Sequence, residues 1–578
     1  MLRYLLLCGA LLASALLSFT TPPPPKYPQA DFRSPVDHPI RLSGTFGELR
    51  SNHFHAGIDI KSARGASGDI VRAIADGYVS RIKVEAAGYG NVIYLTHPNG
   101  YTSVYAHLDK FMPEIREYVK RQQMASRRFG QDLTLDTAAI RVEQGQEIGR
   151  MGNSGYSFGP HLHFEIRNTR TERIINPLLF GGIEVVDRIP PKLHQLRLYQ
   201  LNDKRETIGT RTFDIKKGKY GYYITSDTVA LAAWRIGAAI KTYDHMNGAP
   251  NWNGVYDITM RVDGEPHYQY TMETYAFDET RYINAHLDYH DRVKRKSYFN
   301  RMYRLPGNQL STYPTKVEDG VVNLYERQPR QLTFTVSDAN GNSSEVSLWV
   351  RRDAATDPPV PERTYQYYLP HDERNVIENS GLRAEMQPGT FYQDLYLRYF
   401  VTPDESPDLY SNTYHLHEYT EPVHRWYTLA LRPTDLPDSL RSKALIAYCS
   451  DPTKGTRNMG GTWEGDYLTT QVRGLGEYVI QVDVTPPRVQ PVTFKRNMRG
   501  YNLMSFKVTD DLPTSRRLED FDWEGRIDGE WVLFEYDAKN DLLTHRFEPD
   551  LPSGEHDLLL TVTDERGNTT EYRRAFVR

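Results

Sequence analysis

The run PHLHFE at residues 160–165 constrains the fold of this chain more than any other stretch of its sequence. Successive side chains of a β-strand point to opposite faces, so His161 and His163 share one face if this run is extended. Gly159 and Pro160 precede the pair, and glycine and proline are typical of a turn that leads into a strand. The run therefore predicts a strand whose polar face carries two neighbouring imidazoles.

A second run, HFHAGID at residues 53–59, supplies a further histidine and the carboxylate that the histidine pair lacks for a metal site. His55 and Asp59 are four residues apart, an even number, and therefore share a strand face. Gly57 lies between them on that face and leaves room for a close approach to the backbone. Two histidines and one carboxylate around an open position form the ligand set of a catalytic zinc. We predict Zn²⁺ bound by His55, Asp59 and His163, with His161 free to transfer protons.

The alternative is a chance pair, because a chain with 18 histidines contains some His-x-His pairs at surface or core positions. The flanking sequence argues against that interpretation. The run GNSG at residues 152–155 adds a turn-rich loop before the pair. A further isolated histidine, His107, ends an apolar and aromatic run that has the composition of a strand. Several polar groups are thus expected to meet at one edge of a sheet.

Six short motifs follow one another in the order found in one enzyme family. They are HAGID at 55–59, ADGYV at 75–79, GYGN at 88–91, YAHL at 105–108, QGQEIG at 144–149 and GPHLHFE at 159–165. Through them the segment from about 42 to 179, roughly a quarter of the chain, resembles the LytM/lysostaphin-type zinc metallopeptidases. Those enzymes cut peptide bonds in bacterial peptidoglycan. One such motif is weak evidence, whereas six in order are specific.

The resemblance implies a zinc-dependent endopeptidase that hydrolyses the peptide cross-links of peptidoglycan. A zinc with three protein ligands retains a position for water and lowers the pKa of that water to roughly 7. His161 lies one strand step, about 7 Å, from His163 and is the predicted general base. His107 is expected to orient the water or to stabilise the oxyanion, and its alternative role is that of a buried structural histidine. Glu165 shares the face of the pair and is suited to orienting a histidine.

Two interpretations without catalysis stay open. Some relatives have lost ligands and activate other hydrolases, so a silent or latent cell-wall scaffold is the main rival. The presence of every expected ligand in this sequence favours the enzyme. A surface-binding protein is the third class, and it predicts that the part after residue 184 binds cell wall or other cell-envelope proteins unaided.

The first 21 residues are typical of a secretory signal peptide. Arg3 precedes an apolar run from Leu5 to Leu17, which is too short to span a bilayer comfortably. A retained membrane anchor is the alternative. Residues 22–31 form a proline-rich spacer. Without Cys8, Cys449 has no partner, so no intrachain disulfide is expected. We expect export to the periplasm or cell envelope, or secretion.

Charge and hydropathy exclude two further classes. The formal net charge of −4 offers no basic stripe for a nucleic acid. No later run reaches eighteen apolar residues, so no transmembrane helix is expected after signal removal.

The remaining sequence predicts a mainly β chain: an antiparallel β-sheet metallopeptidase domain followed by β-sandwich, immunoglobulin-like modules. The domain spans 32–183, and its short apolar runs at 70–75, 79–84, 92–96, 102–107 and 162–166 are predicted strands. A 34-residue insertion, 108–141, separates His107 from Val142. Residues 111, 112, 115, 118 and 119 give it helical spacing. This helix is expected either to pack on the edge of the sheet or to form one side of the substrate cleft.

Two of the trailing modules share a pattern. DRIPP at 187–191 and DVTPP at 483–487 open them, and SDANGN at 337–342 and TDERGN at 563–568 mark a late β-hairpin in each. We predict an immunoglobulin-like sandwich with an insertion at 184–352, an all-β module at 353–482 and a second immunoglobulin-like sandwich at 483–578. The insertion is placed at the polar, tyrosine-rich stretch from about 242 to 320. Within it, His286 and His290 suggest a second metal site, against the default of a solvated surface.

Overall fold

The computed structural model describes residues 26–578, except 138, 227, 326–327, 354–361, 404–405, 407, 451–454 and 514–520. The predicted signal peptide (1–21) and residues 22–25 of the proline-rich spacer lie outside the described residues, so both assignments stay predictions. Antiparallel strands dominate the described chain, which confirms the predicted mainly β, antiparallel fold class. Among the described residues, none of the helices has the length and apolar character needed to cross a membrane.

The first domain is built on a long antiparallel sheet with the order β1-β2-β11-β6-β5-β4-β8. A smaller sheet, β3-β10-β7, packs beside it. The five predicted strands each overlap an observed strand, so this part of the prediction is confirmed. The strands are β1 (Leu42–Gly44), β2 (Ile58–Lys61), β3 (Ile70–Arg72), β4 (Gly77–Val84), β5 (Asn91–Thr96), β6 (Tyr101–Ala106), β7 (Leu108–Phe111), β8 (Gln131–Thr134), β9 (Arg141–Val142), β10 (Glu147–Met151), β11 (His161–Asn168) and β12 (Ile174–Ile175).

The insertion after His107 contains the predicted helix, α1 (Pro113–Ser126). Its start differs from the predicted spacing, because Phe111 ends β7 and Met112 is the N-cap. Proline at the first helical position explains the boundary, since its fixed φ suits a helix start and its missing N–H costs nothing there. Ile115 and Val119 are buried against the sheet.

The first module contains a six-stranded and a five-stranded sheet. The stretch 242–320 is not one insertion, because Asp257–Val262 pairs with Arg330–Ser337 in the middle of the six-stranded sheet. The remaining strands of the first module are Lys192–Leu201, Thr207–Asp214, Lys216–Gly218, Gly221–Tyr223, Thr228–Leu231, Arg235–Tyr243, Glu265–Thr271, Thr274–Tyr275, Asn300–Arg301, Thr315–Lys316, Val322–Asn323 and Ser343–Arg352. Two short helices, α2 (Ile283–His286) and α3 (Tyr289–Arg295), follow the strand at 274–275.

The segment around α2 packs against the first domain. Tyr275 pairs with Ile174 of β12, which extends the long sheet across the domain boundary. The Tyr275 hydroxyl donates to the Phe54 carbonyl at 2.9 Å, and the Phe54 N–H donates to the Thr280 hydroxyl at 2.8 Å. The first module therefore helps to fix the position of the HFHAGID run through hydrogen bonds to the backbone of Phe54.

The second and third modules are also all-β. The late hairpins predicted for the first and third modules are both confirmed by antiparallel pairing. The module boundaries and the immunoglobulin-like assignment stay predictions. The second module contains strands Tyr367–Leu369, Asn375–Glu378, Leu382–Met386, Leu395–Leu397, Tyr399–Thr402, Thr413–Leu416, Tyr427–Leu431, Ala444–Cys449, Arg457–Asn458, Thr462–Glu464, Tyr467–Val472 and Gly476–Val482. The third contains Arg488–Pro491, Leu503–Thr509, Asp522–Ile527, Glu530–Val532, Glu535–Asp537, Leu542–Arg546, Glu555–Thr563 and Thr569–Val577. Short 3-10 turns lie at Pro177–Leu179, Phe277–Tyr282, Val317–Gly320 and Asp438–Lys443.

The third module returns to the first domain. The Ala538 N–H donates to the Ala86 carbonyl at 3.2 Å, and Ala86 packs into the apolar core of the third module. Lys120 of α1 forms a 2.6 Å ion pair with Glu548. The third module therefore contacts both Ala86 of the first domain and α1 of the insertion, a contact that the sequence did not indicate.

Candidate metal centre

The three predicted zinc ligands meet at one point of the long sheet. His163 on β11 lies directly opposite Asp59 on β2 in the antiparallel register, so their side chains leave the same face. His55 arrives from the loop before β2. Its Nε2 lies 2.9 Å from His163 Nδ1 and 3.0 Å from Asp59 Oδ1, and His163 Nδ1 lies 3.0 Å from the same oxygen. All three residues are buried, with exposed fractions of at most 5%.

Each histidine in this cluster is oriented by an acceptor on its far side. His55 Nδ1 donates to the Thr45 carbonyl at 2.8 Å, which leaves Nε2 with its lone pair toward the cluster. His163 Nε2 donates to Glu165 Oε1 at 3.0 Å, which leaves Nδ1 facing inward. Asp59 directs Oδ1 inward because Arg50 binds its Oδ2 at 2.5 Å. The inward atoms are thus two ring nitrogens and one carboxylate oxygen.

Glu165 is fully buried, and three groups hold it in place. Besides His163, it accepts from the Tyr89 hydroxyl at 2.5 Å and from Arg167 Nε at 2.7 Å. Contacts of this kind fix the ring orientation and tautomer of a metal-binding histidine. The structure places Glu165 where it can orient His163, as its strand position suggested.

His161, the predicted general base, and His107, which was predicted to orient the water or stabilise the oxyanion, lie beside the cluster. His161 Nδ1 donates to the Gly159 carbonyl at 2.9 Å, and its Nε2 lies 3.4 Å from Asp59 Oδ1. His107 Nδ1 donates to the Ser154 carbonyl at 2.9 Å, and its ring centroid is 4.8 Å from that of His161. In both rings Nε2 is therefore the nitrogen that faces the cluster without a backbone acceptor.

Burial and charge set the protonation of these groups. Burial lowers the pKa of His55 to about 4 and that of His107 to about 3. Burial also acts to lower the pKa of His163, but hydrogen bonds to Asp59 and Glu165 outweigh it and raise that pKa to about 9. Burial alone would raise the pKa of Asp59, whereas its histidine contacts hold that pKa well below the ordinary value. The carboxylate is therefore ionised, with Arg50 on its outer oxygen and the histidines on its inner oxygen.

The structure also shows the surroundings of Gly57 and His53, the other two residues of the HFHAGID run that the sequence singled out. A Cβ on Gly57 would lie 2.3 Å from the Phe164 carbonyl oxygen, so the space left by this glycine is taken by the backbone of β11. His53 is exposed and bonds to the Ser51 carbonyl, outside the cluster, as expected. Sequence reasoning missed Arg50 and Tyr89, because neither stands at a spacing that indicates contact with Asp59 or Glu165.

The suggested second metal site is not formed among the described residues. His286 is buried, and its two ring nitrogens contact the Tyr313 hydroxyl at 3.1 Å and Asn300 Oδ1 at 2.9 Å. His290 is exposed on α3. The default of a solvated surface is therefore right for His290 and wrong for His286, which belongs to the core.

The cluster fits zinc by its own chemistry. Two imidazole nitrogens and one carboxylate oxygen are ligands that zinc accepts in catalytic sites. The ionised Asp59 and the proton shared between His163 and its carboxylate partners show that the site favours positive charge. A bound metal ion would replace that proton.

Comparison with known proteins identifies two regions of the chain. Residues 53–127 and 135–177 match the model of Peptidase family M23. Residues 366–483, within the second module, match the model of the Zu5-like domain.

Individual relatives match the first region. The DD-carboxypeptidase/endopeptidase Mpg of Neisseria meningitidis is 33% identical over 132 residues, 22% of this chain and 24% of that protein. The murein hydrolase activator NlpD of Escherichia coli is 35% identical over 136 residues, 24% of this chain and 28% of that protein. The solved catalytic domain of lysostaphin from Staphylococcus simulans is 25% identical, with a TM-score of 0.17, and the match covers 24% of this chain and 90% of that one.

The matched region spans about a quarter of the length of these two curated relatives. It contains all five predicted site residues and the motifs that connect them. These residues of the chain therefore match peptidase family M23, in agreement with the resemblance that the sequence motifs indicated.

Proposed function

We propose that this protein is a zinc-dependent endopeptidase that hydrolyses peptide cross-links of bacterial peptidoglycan in the periplasm or cell envelope. One observation carries the proposal. Ligand atoms of His55, Asp59 and His163 lie within 4.8 Å of one another, with two further histidines beside them. The match to peptidase family M23 supports the same reaction class.

His55 Nε2, His163 Nδ1 and Asp59 Oδ1 are the atoms that would hold the zinc. When bound, zinc supplies a Lewis acid that polarises a peptide carbonyl and makes water a better nucleophile at neutral pH. Everything else is done by the side chains around it. The Thr45 carbonyl and Glu165 fix the two imidazoles before any ligand arrives, which limits the reorganisation that binding requires.

Proton transfer is assigned to His161. Its Nδ1 is committed to the Gly159 carbonyl, so Nε2 is the atom that accepts a proton from the attacking water and returns it to the leaving amine. His161 is also the least buried member of the cluster, with 15% of its side chain exposed, so it can contact substrate.

His107 has a different role because it is neutral. Burial and two neighbouring histidines lower its pKa to about 3, so it does not carry a positive charge at neutral pH. Its free Nε2 is suited to orienting the water by accepting a hydrogen bond. A neutral His107 therefore holds the nucleophile and leaves proton transfer to His161.

A catalytically silent scaffold is the second candidate, because one relative is named a murein hydrolase activator. In that case the trailing β modules would act on other envelope proteins. The two candidates differ in whether the purified protein releases cleaved peptides from cell walls by itself.

The test is digestion of purified sacculi by the protein without residues 1–21, with soluble products identified by mass spectrometry. We expect newly cleaved peptide cross-links in the presence of zinc, and none with a chelator or with His163→Ala. His290→Ala is the matched control, since His290 is an exposed histidine on α3, and it should retain full activity. A folded, zinc-loaded protein that releases no peptides, but stimulates a separate hydrolase, would overturn the endopeptidase proposal in favour of the scaffold.

A further inference from the structure

Two modules of this chain each bring three aspartates together. In the first module they are Asp187, Asp244 and Asp338, and their carboxylate oxygens lie within 4.8 Å of one another. The third module repeats the arrangement with Asp483, Asp510 and Asp564. In each module the first aspartate opens an Asp-x-x-Pro-Pro run and the last opens an Asp-x-x-Gly-Asn run.

The loops of the first cluster fix its outer oxygens by hydrogen bonds. Asp187 Oδ1 accepts from the Ile189 N–H at 3.1 Å. Asp338 Oδ1 accepts from the Asn342 N–H at 2.9 Å, and Asp338 Oδ2 accepts from the Asn342 side-chain amide at 2.7 Å. Asp187 Oδ2 and the whole carboxylate of Asp244 are thereby left for the interior of the cluster.

Asp244 is the observation that indicates a ligand. Its side chain is only 1% exposed, and neither carboxylate oxygen accepts a hydrogen bond of normal geometry from the described residues. Asp187 is 7% exposed, and its Oδ2 is also without a partner among them. No lysine or arginine in the described chain forms an ion pair with any of these three aspartates. Burial of carboxylates without partners is costly, and a bound cation removes that cost.

Neighbouring groups agree with this interpretation. Burial and the nearby carboxylates of Asp187 and Asp338 raise the pKa of Asp244 to about 8. Asn253 pairs with Asp244 through two backbone hydrogen bonds, and neither the oxygen nor the nitrogen of its buried side-chain amide has a partner among the described residues. The backbone partner of Asp244 thus adds a second buried side chain whose polar atoms lack partners.

We propose that Asp187, Asp244 and Asp338 bind a Ca²⁺ ion. The available atoms are all oxygens, and carboxylate and amide oxygens are the ligands that this hard cation takes. The absence of histidine and cysteine from the cluster argues against zinc. The site is separate from the peptidase centre and does not depend on the function proposed above.

The position of the site gives the ion a structural role. Asp187 belongs to the segment that joins the first domain to the first module. The Asn340 amide donates to the Val185 carbonyl at 2.9 Å, and the Asn342 amide donates to the Asp187 carbonyl at 3.3 Å. An ion held between Asp187 and the Asp338 loop would therefore fix the connecting segment to the module that follows it.

The third-module cluster serves as an internal comparison. Its aspartates have no unpartnered buried oxygen among the described residues. Burial raises the pKa of Asp483 to about 6, and the ammonium of Lys443, which donates to Asn568 at 2.6 Å, acts in the opposite direction, so positive charge is already present. The proposal is for this reason confined to the first cluster.

The test is calorimetric titration of the purified, zinc-loaded protein with CaCl₂, together with thermal unfolding at increasing CaCl₂. We expect saturable binding and a rise in Tm. At one hundred times the Kd, the unfolding equilibrium of the occupied module should shift by about 100-fold. Calcium should also protect the segment 184–191 from limited proteolysis.

Asp244→Asn removes the charge and keeps the shape, so it should abolish calcium binding while folding as well as the parent protein. Asp510→Asn is the matched control in the third module and should bind calcium as the parent does. Asp338→Asn, which weakens a second ligand, provides the same comparison if Asp244→Asn does not fold. A parent protein without heat or Tm change at millimolar CaCl₂, or an Asp244→Asn variant with unchanged binding, would refute the site.

Discussion

Replacing Glu165 with glutamine tests how the protein orients a predicted zinc ligand. Glu165 is 0% exposed, and its two oxygens accept from His163, Tyr89 and Arg167. Glutamine keeps the size of the side chain and one acceptor oxygen. Its amide nitrogen, however, must face either His163 or Arg167, and both are donors.

Two effects follow, and their sizes can be worked out separately. Arg167 would lose its buried partner and retain only Glu172 at 3.6 Å, an exposed and therefore weak pair. Breaking a buried ion pair costs about 3–5 kcal/mol, and the lower value applies because glutamine keeps part of the contact. A misoriented His163 should lower zinc affinity about 10- to 100-fold, which corresponds to about 1.4–2.7 kcal/mol.

The assay is a chelator competition for zinc with thermal unfolding of the same samples. It is best done near pH 9, because Glu165 also supports the proton on His163, whose pKa is about 9, and that proton competes with zinc at lower pH. Glu172→Gln is the matched control, because it removes a carboxylate that contacts the same arginine from the solvent side. If Glu165→Gln binds zinc as tightly and unfolds at the same temperature as Glu172→Gln, the proposed orientation of His163 by Glu165 is wrong.

Three further predictions concern packing, pH and the module contact. Gly57→Ala should destabilise the protein by about 1–3 kcal/mol in denaturant unfolding, since its methyl group would meet the Phe164 carbonyl at 2.3 Å; an unchanged midpoint would refute this close approach. The pKa of buried His286 is lowered to about 4, so the folded state binds fewer protons than the unfolded state. Stability should be full above pH 6.5 and fall by about 3 kcal/mol as the pH drops from 6.5 to about 4, and His286→Asn should show a shallower fall in thermal unfolding. Lys539→Met should lower activity on sacculi about tenfold at unchanged zinc content, because Lys539 Nζ donates to the Asn153 carbonyl at 2.6 Å. Hydrogen exchange at residues 152–159 should become faster in this variant. Unchanged exchange would contradict the anchoring of this loop by Lys539.

The candidate centre could be predicted from sequence because its ligands are encoded by short spacings. An even separation places His161 and His163 on one face of β11, and antiparallel pairing of β2 with β11 brings Asp59 opposite His163. His55 lies in the loop before β2, so it reaches the cluster without sharing a strand face with Asp59. Arg50 could not be found this way. It reaches Asp59 from a loop, and no spacing rule relates a loop arginine to a strand carboxylate.

The misassigned part of the first module has a different cause. Ile258, Met260, Tyr268 and Tyr270 alternate with polar residues and are buried. The tyrosines made this stretch look polar, although a tyrosine ring buried in a sheet behaves largely as an apolar side chain. Counting tyrosine as apolar would have predicted both strands and confined the insertion to the residues that follow them.

The contact between the third module and the first domain makes one loop of the first domain depend on residues that are synthesised much later. Lys539 is separated by 386 residues from Asn153, whose carbonyl it holds in the loop that leads into His161. Contacts of such sequence separation form late in folding, after the local strands have paired. A partly synthesised chain would therefore contain the sheet and the predicted ligands while that loop still lacks its anchor. The loop before His161 thus reaches its final contacts only after the distant third module has been synthesised and has folded.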